Sequence, residues 1–441
     1  MGGIVLEKCD VLTFKEEEPS FLFEQDLFIE GCKIASIHPT GSKPHPEGTK
    51  VLKVDGLLAV PGMVNTHAHV PMVLFRGSAE DVTLDEWFND YIFPMESNLT
   101  PEDVYWGALL GIAEMIEAGI TNVADHYFFM DEVAKAVEQT GIRGNLAWAV
   151  FEHEGIEKLE ETLAFISRWQ GKADGRIRTW LGPHSPYLCG PEFLKRCAQE
   201  AENLGVGIHL HVAETPDQVS QSREKYGRSP IQVLQDTGVL EHPTLLAHCI
   251  YVDDADLDII AQHPAGVGQA PKTYLKGGMG IEPVKRYTSR GIPIGLATDG
   301  AASNSTLDLY EQMRLMALTQ KLTENNATAM PINEILSIAY LGGPKVCQEK
   351  GLGNLEPGNL ADIALLRQDS PAAMPRLNPA ANLLYSLNAR DVDTVICNGQ
   401  VLMQNKQLLT INKEKVKMEV ESRVQRLVKR VPGKKGAVYP T

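Results

Sequence analysis

The chain has 441 residues, 43% of them hydrophobic and 22% charged, an ordinary balance for a globular protein with length to spare for a large core. Its formal net charge of −16 repels phosphate backbones and anionic lipid, so neither nucleic acid nor a membrane surface is expected as a partner. Seven scattered cysteines without a C-x-x-C pair read as free thiols. With no signal peptide and no run of about 18 apolar residues, they predict a cytoplasmic protein.

Residues 1–57 read as short strands joined by turns. Ile4 to Phe14, Asp26 to Ile37 and Lys50 to Leu58 alternate apolar and polar side chains, with Gly, Pro and Ser between them. From Leu58 the rhythm changes. Short apolar runs appear at Leu58–Val64, Thr121–Ala124, Gly144–Val150, Arg178–Leu181, Gly207–Val212, Thr244–Ala247, Gly266–Gln269 and Ile294–Ala297. Helix-like segments fall between them at Asp103–Glu117, Leu159–Arg168, Pro191–Leu204, Ser229–Thr237 and Ile281–Arg290. Eight buried strands, mostly followed by helices, predict an α/β fold of the (β/α)8 TIM-barrel type over 58–352. After Leu352 the strand-and-turn rhythm returns at Asp362–Leu366, Val392–Cys397 and Gln400–Met403. Residues 1–57 and 353–441 are therefore expected to pair into one small composite β-sandwich domain. Residues 411–430 read as a charged, solvated helix followed by a basic tail.

The chemistry gathers where the apolar runs end. Asn65-Thr66-His67-Ala68-His69 follows the first run. Residues i and i+2 of a strand share a face, so His67 and His69 can grip one ion together. Gly207-Ile208-His209-Leu210-His211-Val212-Ala213-Glu214 follows the fifth run, His248 ends the sixth, and Asp299 ends the eighth. The C-terminal ends of barrel strands are where active sites of this architecture sit. Histidine and carboxylate there suit a divalent ion such as zinc. His209 shares a face with His211 but lies one layer deeper and reads as a core residue. His126, at the end of the second run, supports the site or merely packs. His38, His45, His153, His242 and His263 read as ordinary.

The pattern resembles the amidohydrolase superfamily: H-x-H on strand one, histidines on strands five and six, and an aspartate on strand eight. The segment Gly358-Asn359-Leu360-Ala361-Asp362 resembles that family's return to its β-domain. Strand four ends Gly182-Pro183-His184-Ser185-Pro186-Tyr187, without the lysine that bridges two metals in some members. The resemblance thus implies one metal, held by His67, His69, His211 and Asp299, with zinc favoured and iron or manganese tolerated. His211-Val212-Ala213-Glu214 matches the H-x-x-E of the deaminases.

Within these, the chain is similar to 5′-methylthioadenosine/S-adenosylhomocysteine deaminases. The similarity is carried by His67 to Gly77, Leu84-Asp85-Glu86-Trp87, Phe93-Pro94-Met95-Glu96, the His184 stretch and Thr298-Asp299-Gly300-Ala301-Ala302-Ser303-Asn304. It implies a nucleoside substrate. Glu96 would accept both ribose hydroxyls, Trp87 would pack on the nucleoside, His184 would meet the purine edge, and Ser303 would line the site. Some family members carry arginines after strand three. Here Asn145 to Glu152 has none and places Trp148 and Glu152 there, which suits an apolar 5′ group better than a carboxylate. The implied chemistry is hydrolytic deamination at C6, with Glu214 shuttling the proton at N1 and Asp299 and His248 handling the attacking water. A free base, pterin or s-triazine is the rival substrate class, and a non-catalytic scaffold the rival of another kind. Association into homo-oligomers is compatible with either.

Overall fold

A computed structural model describes residues 3–281 and 283–430. Two sheets organise them. The first is an all-parallel barrel whose strands follow chain order: Met63–His69, Ile120–Tyr127, Arg143–Val150, Ile177–Pro183, Ile208–Val212, Thr244–His248 and Ala265–Gln269. The eighth strand is split. Ile294–Leu296 pairs with strand seven, while Asp299–Gly300 pairs with strand one and closes the ring. These strands are apolar almost without interruption because a parallel sheet is covered on both faces. Helices Pro101–Glu117, Ile156–Trp169, Pro191–Leu204 and Leu309–Thr323 form part of the outer layer. Thr100, Thr215, Ser229 and Asp253 start helices through capping boxes, each satisfying backbone N–H groups that the first turn leaves unpaired.

The run Leu58–Val64, expected as a single barrel strand, is two strands of different sheets. Leu57–Pro61 pairs with Ile363–Arg367 and with Asp10–Val11 in the second sheet. Only Met63–His69 enters the barrel. Gly62 is the joint, and a Cβ there would lie 2.3 Å from the Thr121 side chain. The chain thus changes sheets where only glycine lets it pass.

The second sheet joins the two ends of the chain. Ile363–Arg367 lies between Leu57–Pro61 and Val392–Cys397, and Ile4–Lys15, Glu18–Glu30 and Lys33–Pro39 extend the other side. The expected sandwich is, in hydrogen-bonding terms, one continuous mixed sheet. Its alternation feeds two cores: Leu58, Val60, Ala364 and Leu366 face the barrel, while Ala59, Ile363 and Leu365 face a core of the sheet's own. The stretch Asp26–Ile37 is likewise two strands, turned back at Gly31 (φ 58°). A buried pair bolts this sheet to the barrel. Arg143 of strand three donates to both carboxylate oxygens of Asp362 at 2.9 and 3.1 Å, and to Asn398 at 2.7 Å.

The C-terminal helix, Lys413–Leu427, is not simply solvated. Val416, Val420 and Leu427 are buried and Val424 packs beside them, an apolar stripe at helical spacing hidden in a sequence dominated by charge. The expected basic tail lies outside the described residues. No helix among the described residues is long and apolar enough to cross a membrane.

Candidate active site

Four barrel strands deliver ring nitrogens and a carboxylate to one point. Asp299 Oδ1 stands 3.6 Å from His67 Nε2 and 3.2 Å from His69 Nε2. His211 Nε2 is 3.2 Å from His69 Nε2. The ligand atoms of His67, His69 and His211 lie within 4.8 Å of one another, as do those of His67, His248 and Asp299. Four non-glycine residues of this rim adopt left-handed backbone: Ala213 (φ 50°) before Glu214, His248 (φ 76°) with Cys249 after it (φ 50°), and Asp299 (φ 56°). Such strain persists only where the surroundings enforce it. Around Asp299 three side chains enforce it. Asn65 and Thr298 exchange hydrogen bonds at 2.7 and 3.0 Å, Ser303 Oγ donates to Asp299 Oδ2 at 2.7 Å, and together they hold the break in strand eight.

The donor set fits a cation. The Nδ1 of His69 donates to the carbonyl of His126 at 2.5 Å, and the Nδ1 of His211 to the carbonyl of His184 at 3.0 Å. Each ring in its neutral form thereby keeps its lone pair on Nε2. Two lone pairs then face each other across 3.2 Å, an arrangement that repels unless a positive charge lies between. The Nε2 of His67 is buried without a hydrogen-bond partner, and burial foremost pushes His67 down to about 3, which leaves its lone pair available to a cation. His67 Nδ1 meets His209 Nε2 at 2.8 Å. His209 is buried, as expected of a core residue, and in addition holds the ring of His67 from behind. His126 plays its part through its carbonyl, while its ring donates to the carbonyl of Gly182 at 3.2 Å.

A cleft open to solvent, about 990 Å³ including its mouth, extends from this cluster. His184, Glu214, His248, Trp87, Glu96 and Ser303 all line it. Glu214 is 5% exposed and its Oε1 is 3.9 Å from His248 Nε2. Gln218 accepts from the backbone N–H of Glu214 at 2.9 Å and steadies the loop. His184 stacks between Phe151 and His211, with ring centroids 4.7 and 4.5 Å away, and burial foremost holds it down to about 3. Glu96 accepts from Tyr127 Oη at 2.6 Å. Burial raises its carboxyl to about 7 against the pull of that hydrogen bond.

Trp148 is not in the cleft. In strand three, Ala149 faces the cleft, and alternation turns Trp148 outward. It packs edge-on against Phe165 of helix Ile156–Trp169, with Lys158 Nζ 4.7 Å above its ring. Glu152 does not line the cleft either; it accepts from the backbone N–H of Gly190 at 2.8 Å. Phe128 and Phe151 supply the aromatic wall instead. Sequence reasoning missed them, together with Tyr127 and Tyr274. Tyr127 ends strand two, and the strand-end rule that found the histidines would have found it. Tyr274 Oη, 3.3 Å from His248 Nδ1, sits on a helix that carries no such signal.

Residues 58–402 match the sequence profile of the amidohydrolase family. A 5-methylthioadenosine/S-adenosylhomocysteine deaminase of Halothermothrix orenii is 40% identical over 427 residues, covering 96% of this chain and 99% of that one. One of Carboxydothermus hydrogenoformans is 42% identical over 408 residues, covering 92% and 94%. Among solved structures, an adenosine deaminase from Xanthomonas campestris with bound zinc superposes with a TM-score of 0.90 at 26% identity, covering 96% of this chain and 98% of that one. The zinc complex of the atrazine chlorohydrolase TrzN from Arthrobacter aurescens shares the fold, with a TM-score of 0.88 at 24% identity over 96% of this chain and all of the other.

Proposed function

Because the chain belongs to the amidohydrolase family, we propose that it removes the C6 amino group of an adenosine-type nucleoside by hydrolysis, giving the inosine analogue and ammonia. The observation that carries this reading is the placement of Glu214, beside His248 and over the histidine–aspartate cluster, in a cleft that also holds Glu96. His67, His69, His211 and Asp299 would hold one divalent ion, and zinc is the ion we favour from the nitrogen-rich ligand set. Once bound, such an ion lowers the pKa of a water toward about 7.

The protein's own groups do the rest. Asp299 takes a proton from the attacking water, whose oxygen His248 orients. Glu214 protonates N1 as the oxygen reaches C6, so that charge does not accumulate on the ring. The proton held at Asp299 then passes to the leaving amine, the C6–N bond breaks as ammonia departs, and the proton of the C6 hydroxyl returns to Glu214 as the carbonyl forms. Glu96 accepts the two ribose hydroxyls through its two oxygens, and His184 faces the purine edge. Trp87 covers the nucleoside. Phe128 and Phe151 would offer a 5′ substituent an apolar wall; no arginine lines the cleft among the described residues, and the lysine that does, Lys276, is already paired with Glu80 at 2.7 Å. This favours methylthioadenosine, 5′-deoxyadenosine or adenosine over the carboxylate-bearing S-adenosylhomocysteine.

The test is ammonia release from the zinc-loaded protein with those four nucleosides, adenine, guanine and an s-triazine. Nucleosides should lead, those without a carboxylate foremost. Turnover confined to a free base or triazine would overturn the nucleoside reading.

A further inference from the structure

Glu96 and Trp87 stand on one helical segment, built of Leu84–Glu86, a wide π turn Trp87–Ile92, and Phe93–Glu96. It is inserted between barrel strand one and helix Pro101–Glu117. At its start Leu84 packs on the cluster of Ile250, Tyr274 and Met279. Its far end is held by the last turn of the C-terminal helix. The Asn98 amide, two residues after Glu96, donates to the carbonyls of Arg426 and Leu427 at 3.4 Å and of Lys429 at 2.5 Å. The Arg426 carbonyl also accepts from the backbone N–H groups of Val428 and Lys429, which close the helix, and Lys429 lies just past its end. Arg426 answers by donating to the Asn98 carbonyl at 2.6 Å and to both oxygens of Asp103 at 2.6 Å. The Arg430 guanidinium lies 4.6 Å from the centre of the Tyr91 ring, inside the π turn.

We infer that the end of the C-terminal helix is a positioning element of the nucleoside site: Asn98, Arg426 and Arg430 set the depth at which Glu96 meets the ribose. A helix that only glued the chain end to the barrel would need no more than its apolar stripe and its pairs with Glu102 and Asp103. The contacts to Asn98 and Tyr91 are different. They bracket Glu96 on both sides in sequence, and they are directional. The inference rests on the reading of Glu96 as the acceptor of the ribose hydroxyls.

The experiment compares kcat/KM for adenosine with that for 2′,3′-dideoxyadenosine in the zinc-loaded full chain and in the variants Glu96→Gln, Asn98→Ala, Arg426→Ala and Arg430→Ala. The original protein should prefer the diol by about 10- to 100-fold, the worth of hydrogen bonds to a charged group, and Glu96→Gln should erase most of that. Asn98→Ala and Arg426→Ala should cut the preference by roughly tenfold through KM, with zinc content and kcat on the dideoxy substrate unchanged. Arg430 is exposed, so Arg430→Ala keeps its fold and should lower the preference in the same direction. Equal losses on both substrates, or an intact preference in Asn98→Ala and Arg430→Ala beside a collapsed one in Glu96→Gln, would overturn the positioning role while leaving the ribose reading in place. No preference in the original protein would overturn the ribose reading, and this inference with it.

Discussion

At one end of the cleft, His67, His69, His211 and Asp299 project from buried parallel strands, and each histidine is held from behind by a carbonyl or by another ring. At the other end, Glu96 and Trp87 project from a helical segment with a π turn at its centre, steadied by Tyr127 and by the far end of the chain. The first end is pre-organised by the barrel itself. The second is assembled from pieces distant in sequence. On the proposed function, chemistry would be lodged on the rigid scaffold and recognition on an added segment, so substrate preference could change without disturbing the reacting groups.

The sharpest break between the two ends comes from Glu214→Gln. The amide keeps the shape and the backbone hydrogen bond to Gln218 but cannot shuttle a proton. Turnover should fall by about 10²- to 10⁴-fold, while zinc content and KM for the nucleoside stay near those of the original protein. A loss of zinc with the activity would move Glu214 into the ligand set and undo the division. Next is His209→Gln. It leaves all four proposed ligands in place but removes the ring that orients His67. Loss of an outer partner of this kind weakens metal binding by about 10- to 100-fold. Competition with a chelator measures it, and unchanged affinity would return His209 to the plain core.

Titration at the metal end should fall on both substrates alike, whereas the Glu96 end should answer to pH only through the substrate that carries the diol. The Glu96 carboxyl is raised to about 7 by burial, and in the proposed role it would accept the ribose hydroxyls only when ionised. Affinity is therefore full above that value and lost below it. KM for adenosine should rise about fivefold from pH 7 to pH 6, as the ionised fraction drops from a half to about a tenth. KM for the 2′,3′-dideoxy analogue should stay flat across the same interval. Parallel profiles for the two substrates would place the titration elsewhere.

This contrast also explains what could be read from the residues alone. His67-x-His69, His211-x-x-Glu214, His248 and Asp299 follow apolar runs, and a parallel strand must end at the same rim as its neighbours, so linear spacing translated directly into a shared location. Glu96 came only through resemblance, because a helical insertion has no such rule. Arg426 and Asn98 lie 328 residues apart, and nothing in either neighbourhood announces the other. The break at Gly62 was hidden for a related reason. Leu58–Val64 is apolar throughout, and an apolar run does not say which of two sheets each half joins. The stripe of the C-terminal helix was masked by the lysines and glutamates between its valines.

Trp148 sharpens the same point with the smallest effect. It was singled out because it falls on the right stretch of strand three, yet one residue of register sends its side chain to the opposite face. There it fills the gap beside Phe165, under Lys158. Trp148→Phe should cost stability on the order of 1–3 kcal/mol, seen as a lowered Tm, and leave the ranking of 5′ substituents unchanged. Phe151 lines the cleft and stacks on His184 at 4.7 Å. Phe151→Ala should reorder that ranking toward polar 5′ groups. A Trp148→Phe protein with altered ranking and normal Tm would mean that strand three shifts its register when substrate binds, and that the wall facing the 5′ group is not the one seen here.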